Sequence, residues 1–420
     1  MVAKISKAPQ ISTEHESPFG FDELFFSRTD SRGKITSGNT VFQRVSRFEW
    51  DELLEKPHNI IRHPDMPRAV FWLLWDRIRK GLPVGAYVKN RAKDGCYYWV
   101  FAIVTPIEDG YLSVRLKPSS ALFARVQQEY RTLLQAEKDE ELTPARSAEV
   151  LLKRLNELGF RDYEIFMTKA LISEMLARDK VLEIEPQRTI SLFQDLVLAS
   201  EKLLETATAV AGTYHDFRFV PLNLIIQAGQ LGKDGAAIGR ISNNYSLLAE
   251  EIRLALGGFL DAAKQVSDTI REGAFLLATS NMQEEIANAF AKEGEASEID
   301  HVNEMEHLNR QRALYSAKAL TNLENLVSVQ QELGAFAEGM DEIKRLTSGL
   351  AAVRIMGKVE AGRLSSSVLN DLITDLDSFQ QSLSEGLTEI QALNSELSKR
   401  SGDLLEAHAA ETRGTRALAA

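Results

Sequence analysis

The four tryptophans of this 420-residue chain, Trp50, Trp72, Trp75 and Trp99, all lie in its first 120 residues, as do eight of its eleven prolines. Proline breaks helices and tryptophan fills compact cores, so both mark a segment that turns often and packs tightly. The other 300 residues hold three prolines and no tryptophan. They are rich in Ala, Leu, Glu, Gln and Ser, a composition suited to long uninterrupted helices. Charge divides in the same way, with +4 on the first 120 residues and −15 on the rest. One chain holds two architectures.

Several classes fall away at once. The single Cys96 allows no intramolecular disulfide and no cysteine zinc cluster, and it suits a reducing compartment. The most apolar stretch, around 254–277, is broken by Lys, Asp, Arg and Glu, so no membrane span is expected. The N-terminus lacks a charged-then-apolar signal pattern, and a cytoplasmic location is the expectation. A net charge of −11 argues against nucleic acid as the main partner. Nucleophile–base sets, phosphate loops and metal spacings are missing, and His301 and His307, six apart, do not share a helical face. An enzyme is not expected.

Three regions follow. Residues 1–20 read as a flexible leader, 21–118 as a compact α+β domain, and 119–420 as an all-α coiled-coil or helical-bundle region. In the compact domain, strands are predicted at 24–29 and 34–36, with short helices across 39–46, 49–53 and 59–63. Asp65 followed by Pro67 predicts a helix start, running to about Lys80. A three-strand meander follows at 87–91, 96–105 and 111–116, with a Lys93-Asp94-Gly95 turn as its hairpin signal. In the helical region, Leu369, Leu372, Leu376, Phe379, Leu383, Gly386, Ile390, Leu393 and Leu397 alternate spacings of three and four. That is a coiled-coil seam with Gly386 as its weak layer, and a homodimer through helices is expected. An acidic break at 291–298 separates two helical stretches, and Pro186 and Pro221 are expected to start or kink helices.

The densest cluster of unusual residues is the run from Pro57 to Pro67, with His58, Asn59, Arg62, His63 and Asp65. Trp75, Asn90, Tyr98 and Trp99 lie downstream. Flat apolar walls, amide groups and cations suit a planar cofactor with phosphates, although Asp65-Met66-Pro67 could simply cap a helix and the tryptophans could be core. The words Pro57-His58-Asn59, Arg62-His63-Pro64-Asp65-Met66-Pro67, Val88-Lys89-Asn90-Arg91 and Tyr98-Trp99-Val100, with Asn39 after Gly38, carry a resemblance. Residues 24–116 resemble the FAD-binding PAS domains of bacterial aerotaxis receptors. The resemblance implies a five-stranded antiparallel sheet with small helices cupping FAD. It also implies that Arg62, His63 and Asp65 hold or order the cofactor segment, with Asn39, Trp75, Asn90 and Tyr98 lining the cavity and His58 beside them. Haem ranks behind FAD, and an empty or different pocket stays open. Val84 stands where that family has a tryptophan beside the flavin.

Residues 221–245 suggest a helix reversal around Gly232 and Gly235. Leu222-Asn223, Ile226, Ala228, Gly232, Gly235 and Leu248-Ala249 resemble the kinase-contacting hairpin tip of methyl-accepting chemoreceptors. Where that family has Glu, Arg and Glu, this chain has Gln227, Gln230 and Lys233. The resemblance implies a chemotaxis kinase, a coupling protein or other chemoreceptors as partners. The pair Gln283-Glu284 also fits a loose methylation pattern. The resulting expectation is a cytosolic redox, oxygen or energy sensor that signals through a dimeric helical hairpin. The competing reading is a cofactor-free interaction scaffold.

Overall fold

A computed structural model describes residues 15–217, 219–293, 300–364 and 367–418. Five strands form one sheet: β1 (Phe25–Asp30), β2 (Ile35–Gly38), β3 (Val84–Arg91), β4 (Tyr97–Ile107) and β5 (Gly110–Leu116). Their order is β2-β1-β5-β4-β3, and every neighbouring pair is antiparallel. The first strand thus lies beside the last, with Phe25 opposite Arg115 and Asp30 opposite Gly110. Between β2 and β3 run α1 (Thr40–Ser46), α2 (Trp50–Leu53), a 3-10 turn (His58–Ile61) and α3 (Arg68–Arg79). This is the expected α+β arrangement.

Side chains alternate across the sheet because successive residues of a strand point to opposite faces. Ser27, Thr29, Asn90, Ala102, Val104, Ser113 and Arg115 share the inner face with the small helices. The outer face is covered by helices that follow the sheet in sequence. The first three are α4 (Ala121–Asp139), α5 (Pro144–Glu157) and α6 (Tyr163–Leu182), of which α4 and α6 meet the sheet while α5 packs on α3. Each has a side-chain N-cap, from Ser120, Thr143 and Asp162 respectively. Tyr87 on the outer face of β3 stacks on Phe123 of α4 at 5.6 Å and meets Phe166 of α6 at 6.3 Å.

Five further helices complete the described chain: α7 (Arg188–Phe217), α8 (Val220–Gln230), α9 (Ala236–Glu293), α10 (His301–Leu364) and α11 (Ser367–Leu418). The long all-α region is therefore as expected. No helix among the described residues is long and apolar enough to cross a membrane. The chain forms two compact units, one of residues up to 191 with 271–321, the other of 192–270 with 322–420. In the first, the end of α9 and the start of α10 return to the sheet from far along the sequence. Phe290 meets Phe26 edge to face at 5.2 Å, and Arg28 pairs with buried Glu304 at 2.5 Å. Gln283 donates to Thr105 at 3.3 Å and is buried, so the loose methylation pair has only Glu284 on an open face.

In the second unit, α11 buries Leu376, Phe379, Leu383, Leu387, Ile390 and Leu397. The seam follows the expected spacing, except that Leu387 and Asn394 are its buried positions beside half-buried Gly386 and Leu393. Gly386 is a site of close packing, since a Cβ there would come within 2.3 Å of Val210. The side chains of Leu369 and Leu372 lie outside the described ones. Pro221 sits in the first turn of α8, while Pro186 precedes α7 in a loop. Between α8 and α9, Gly232–Gly235 makes a 3-10 turn. Gly232 has φ +58°, and a Cβ on Gly235 would reach the Ala228 carbonyl oxygen at 2.1 Å, so this reversal requires glycine. Gln230 and Lys233 are exposed there and Gln227 is half-buried. Of the expected acidic break, residues 294–299 lie outside the described ones.

Two expectations are corrected. The described part of the supposed flexible leader, 15–20, is held against the domain. Ser17 donates its N–H to the Tyr97 carbonyl (2.7 Å) and its hydroxyl to the Val45 carbonyl (2.8 Å), and Phe19 is buried. Asp65 does not start α3 either. The helix begins after Pro67, and its free Arg68 and Ala69 N–H groups donate to Glu137 of α4, at 2.7 and 3.3 Å. A carboxylate from the following helix takes the capping role, so Asp65 turns outward to Lys89 instead.

Candidate ligand-binding site

A cavity of about 270 Å³ opens between the inner face of the sheet, the 3-10 turn and α3. Its apolar wall is built by Phe71, Leu74, Trp75 and Ile78 of α3, with Val88, Ala102, Val104 and Tyr111 from the sheet. Trp75 is steadied edge-on by Tyr111, with ring centroids 5.6 Å apart. Gly33, in the β1–β2 turn with φ +80°, lets Trp75 approach, because a Cβ there would lie 3.1 Å from its ring. Arg32, Asn59 and Arg62 stand at the rim.

The segment from His58 to Met66 is stitched to β3. Arg62 and Asn90 form a backbone bridge, and the His63 N–H donates to the Lys89 carbonyl at 3.4 Å. The Lys89 N–H meets the Met66 sulfur at 3.1 Å, and the Lys89 Nζ meets Asp65 at 2.9 Å. The Arg62 guanidinium lies 4.0 Å over the Phe71 ring and donates to the Met66 carbonyl at 3.3 Å. Burial holds it below the ordinary arginine range.

The polar end of the cavity is unusual. Arg115 of β5 donates through Nη2 to the Ser27 hydroxyl (2.9 Å) and to His58 Nε2 (2.7 Å), and through Nη1 to the Ser113 carbonyl (3.3 Å). Burial pulls its pKa down to about 10. Burial, and then the charge on Arg115, push His58 down to about 3, so its ring is neutral at pH 7. A neutral ring accepting at Nε2 carries its proton on Nδ1. Asn90 Nδ2 and Ser113 Oγ are buried and have no protein partner. Such orphaned groups are rare in folded proteins and point to something that completes them.

Of the eight residues expected at the site, His58, Arg62, Trp75 and Asn90 line this cavity. The other four lie off it. Asn39 caps α1, receives the Phe26 N–H and donates to Glu293 Oε1 at 2.9 Å, while the Thr40 N–H donates to Glu293 Oε2 at 3.1 Å. His63 is buried and accepts the Asp65 N–H at 3.1 Å, and burial pushes it down to about 4. Asp65 is at the surface. Tyr98 is fully buried against Phe25, its hydroxyl without a protein partner and its pKa pushed up by burial. Val84 is buried in β3 and is not part of the lining. The residues that sequence reasoning missed are Phe71, Tyr111, Ser113 and above all Arg115. The strand Tyr111-Leu-Ser-Val-Arg-Leu116 did hold a signal. Its apolar residues alternate with polar ones, and the polar set faces inward.

Comparison with known proteins bears on this domain. Residues 36–113 match the family described as the PAS fold. Over 126 residues the chain is 38% identical to the aerotaxis receptor of Escherichia coli (strain K12), covering 29% of this chain and 25% of that one. It is 28% identical over 81 residues to the nitrogen fixation regulatory protein of Klebsiella pneumoniae, covering 19% and 16%. The chain thus spans a quarter or less of the length of these curated relatives. Among solved structures, the light-state LOV domain of the blue-light photoreceptor Aureochrome1 is 20% identical, with a TM-score of 0.22, over 27% of this chain and 90% of that one. The LOV domain of a blue-light activated histidine kinase from Erythrobacter litoralis is 15% identical, with a TM-score of 0.20, over 22% and 90%.

Proposed function

We propose that this chain, whose residues 36–113 match the PAS fold, is a cytoplasmic sensor that binds a flavin, FAD by its resemblance, and reports the flavin's state through its helices. The observation that carries the reading is the cavity, with a flat aromatic wall on one side and orphaned polar groups with a buried cation on the other. These residue types fit a flavin. Trp75, Phe71 and Tyr111 would wall its ring system, and Asn90, Ser113 and Arg115 would meet its polar edge. A volume near the lower end of the ~300–1,000 Å³ typical of small-molecule pockets suits the ring system alone. The phosphates of FAD would then meet Arg32 and Arg62 at the rim. A bound flavin supplies a ring whose charge and hydrogen bonding change with redox state or oxygen supply.

The protein's part is to convert that change into a shift of packing. Ser27, Ser113 and Arg115 face the cavity, while Phe26, Arg28 and Leu112, their neighbours in sequence, face the other way. A small displacement of β1 or β5 therefore moves the contacts with Phe290 and Glu304, biasing two packings of the helices. The output of this reading is a chemotaxis kinase and coupling protein, or other chemoreceptors, engaged by a dimer through the reversal at 221–245. Gln227, Gln230 and Lys233 give that reversal a different charge from the family it resembles, so control of the kinase need not be of the ordinary kind.

The absorbance spectrum of the purified full chain tests the sensor. Bands near ~450 nm, lost in Asn90→Ala or Trp75→Ala variants that remain folded, are expected. A colourless, folded protein that cannot be reconstituted with FAD or FMN would end the flavin reading. One observation favours the competing scaffold: Arg115, His58 and Ser27 already satisfy one another without a ligand. Haem has no such support, since His63 lies off the cavity and His58 Nε2 is engaged by Arg115. Co-purification with a chemotaxis kinase and coupling protein tests the output. Normal receptor clustering in a deletion strain, without any interaction, would remove it.

A further inference from the structure

Arg115 is only 3% exposed, and its partners are a hydroxyl, a neutral imidazole and a backbone carbonyl. Among the described residues, no carboxylate pairs with it. Buried cations are ordinarily matched by an anion, because an ion in a low-dielectric interior without a counter-charge is strongly unfavourable. The rings of Phe25 and Phe42, 5.6 and 5.5 Å away, offer partial relief only. Its neighbours Asn90 and Ser113 line the same cavity and each holds back a buried, unpartnered polar atom. Two polar side chains with an unmet atom and one cation without a counter-charge, all more than nine-tenths buried, thus face one space.

We propose that Arg115, with Asn90 and Ser113, forms an anion-selective subsite of this cavity, made for a flat aromatic ligand that presents a negatively charged or electron-rich oxygen. His58 serves it as a positioning residue. Its neutral ring accepts from Nη2 and holds the guanidinium without cancelling its charge. Arg115 supplies charge-assisted donors, and the Asn90 amide and Ser113 hydroxyl supply neutral ones. A flavin belongs to this ligand class, but the subsite stands whether or not the natural occupant is a flavin.

The test uses a pair of probes of one shape, 1-naphthoate and 1-naphthamide, titrated into the full chain. Any chromophore that copurifies is first removed by dialysis against concentrated bromide. Binding is read by quenching of tryptophan fluorescence, since Trp75 lines the cavity. Wild type is expected to favour the carboxylate by about tenfold or more, the scale of a hydrogen bond to a charged group. Arg115→Met and Arg115→Gln should lose that preference, while Arg115→Lys keeps part of it. Arg115→Gln retains a donor toward Ser27 and His58, and circular dichroism verifies that each variant is folded. Equal affinities in wild type, binding of neither probe, or a preference that survives in both folded variants would overturn the proposal. A protein that is purified colourless, cannot be reconstituted with FAD or FMN and still prefers naphthoate would refute the flavin reading and leave the subsite standing. A flavin-loaded protein without the preference would do the reverse.

Discussion

The two faces of one sheet are finished to different degrees. On the outer face the buried ionic groups have partners across the helices, although the Ser37 hydroxyl is left without one. Glu174 of α6 is fully buried, yet it receives the Tyr87 hydroxyl (2.7 Å), the Ser119 and Ser120 N–H groups (2.6 and 3.0 Å) and the Ser120 hydroxyl (2.5 Å). Arg28 has Glu304, and Phe26 has Phe290. On the inner face, one residue away along the same strands, Asn90 and Ser113 keep unmet atoms, and Arg115 has no anion among the described residues. Paired charges of that kind serve the fold. Unmet groups gathered round a cavity, with an unpaired cation among them, are what the proposed ligand would complete. The energetic expectation differs accordingly: trimming the outer face should cost stability, and trimming the inner one should cost binding.

The largest expected effect breaks the outer face. Phe290→Ala removes a fully buried ring, and urea unfolding should show a loss of about 3–5 kcal/mol. A loss below ~1 kcal/mol would mean that the returning helices add little to the sheet. A middle-sized effect comes from acid. His58 is held neutral in the fold to about pH 3, whereas unfolded histidine takes its proton near 6.5. The unfolded state therefore binds more protons between those values, and stability falls as pH drops through that window. The slope is about 1.4 kcal/mol per pH unit for one group. His63, held down to about 4, adds to it with the same sign. Urea midpoints from pH 7 to 5 should show this, and His58→Asn should flatten the slope. An unchanged slope in that variant would argue against a buried neutral His58. The smallest effect on stability belongs to the inner face. Asn90→Leu removes an unsatisfied amide, so the ligand-free protein should change by less than ~1 kcal/mol while losing its ligand. A large destabilisation without change in binding would reverse the comparison between the faces.

Much of the fold was legible because it is local. The Lys93-Asp94-Gly95 turn, the alternation of 96–105 and the three-and-four spacing of the last helix each declare themselves within a dozen residues. Strand ends differed by only a few residues, since pairing with a neighbour decides where a strand stops. The rim and wall of the cavity were legible too, through Arg62, Trp75 and Asn90. What was not legible depends on partners remote in sequence. Glu137 starts α3 from some seventy residues away, and Glu293 draws Asn39 to the helices from about two hundred and fifty. Arg115 stayed hidden for another reason. A lone arginine in an alternating strand usually points to water, and only the helices that cover the opposite face turn it inward.

The placement of β1 against β5 has a mechanical consequence. The chain enters the sheet at Phe25 and leaves just after Arg115, and these two residues are opposite each other. A pull shared between the incoming segment and α4 would load the two strands at the same end, opening hydrogen bonds one after another, as a zip opens, and not shearing them all together. The first pair to feel that load contains Arg115. Its anchor is close by, since Glu174 grips Ser119 and Ser120 only four and five residues further on. Tension in the helices and occupancy of the cavity thus act on the same strand end, and force applied at one should be felt as affinity at the other.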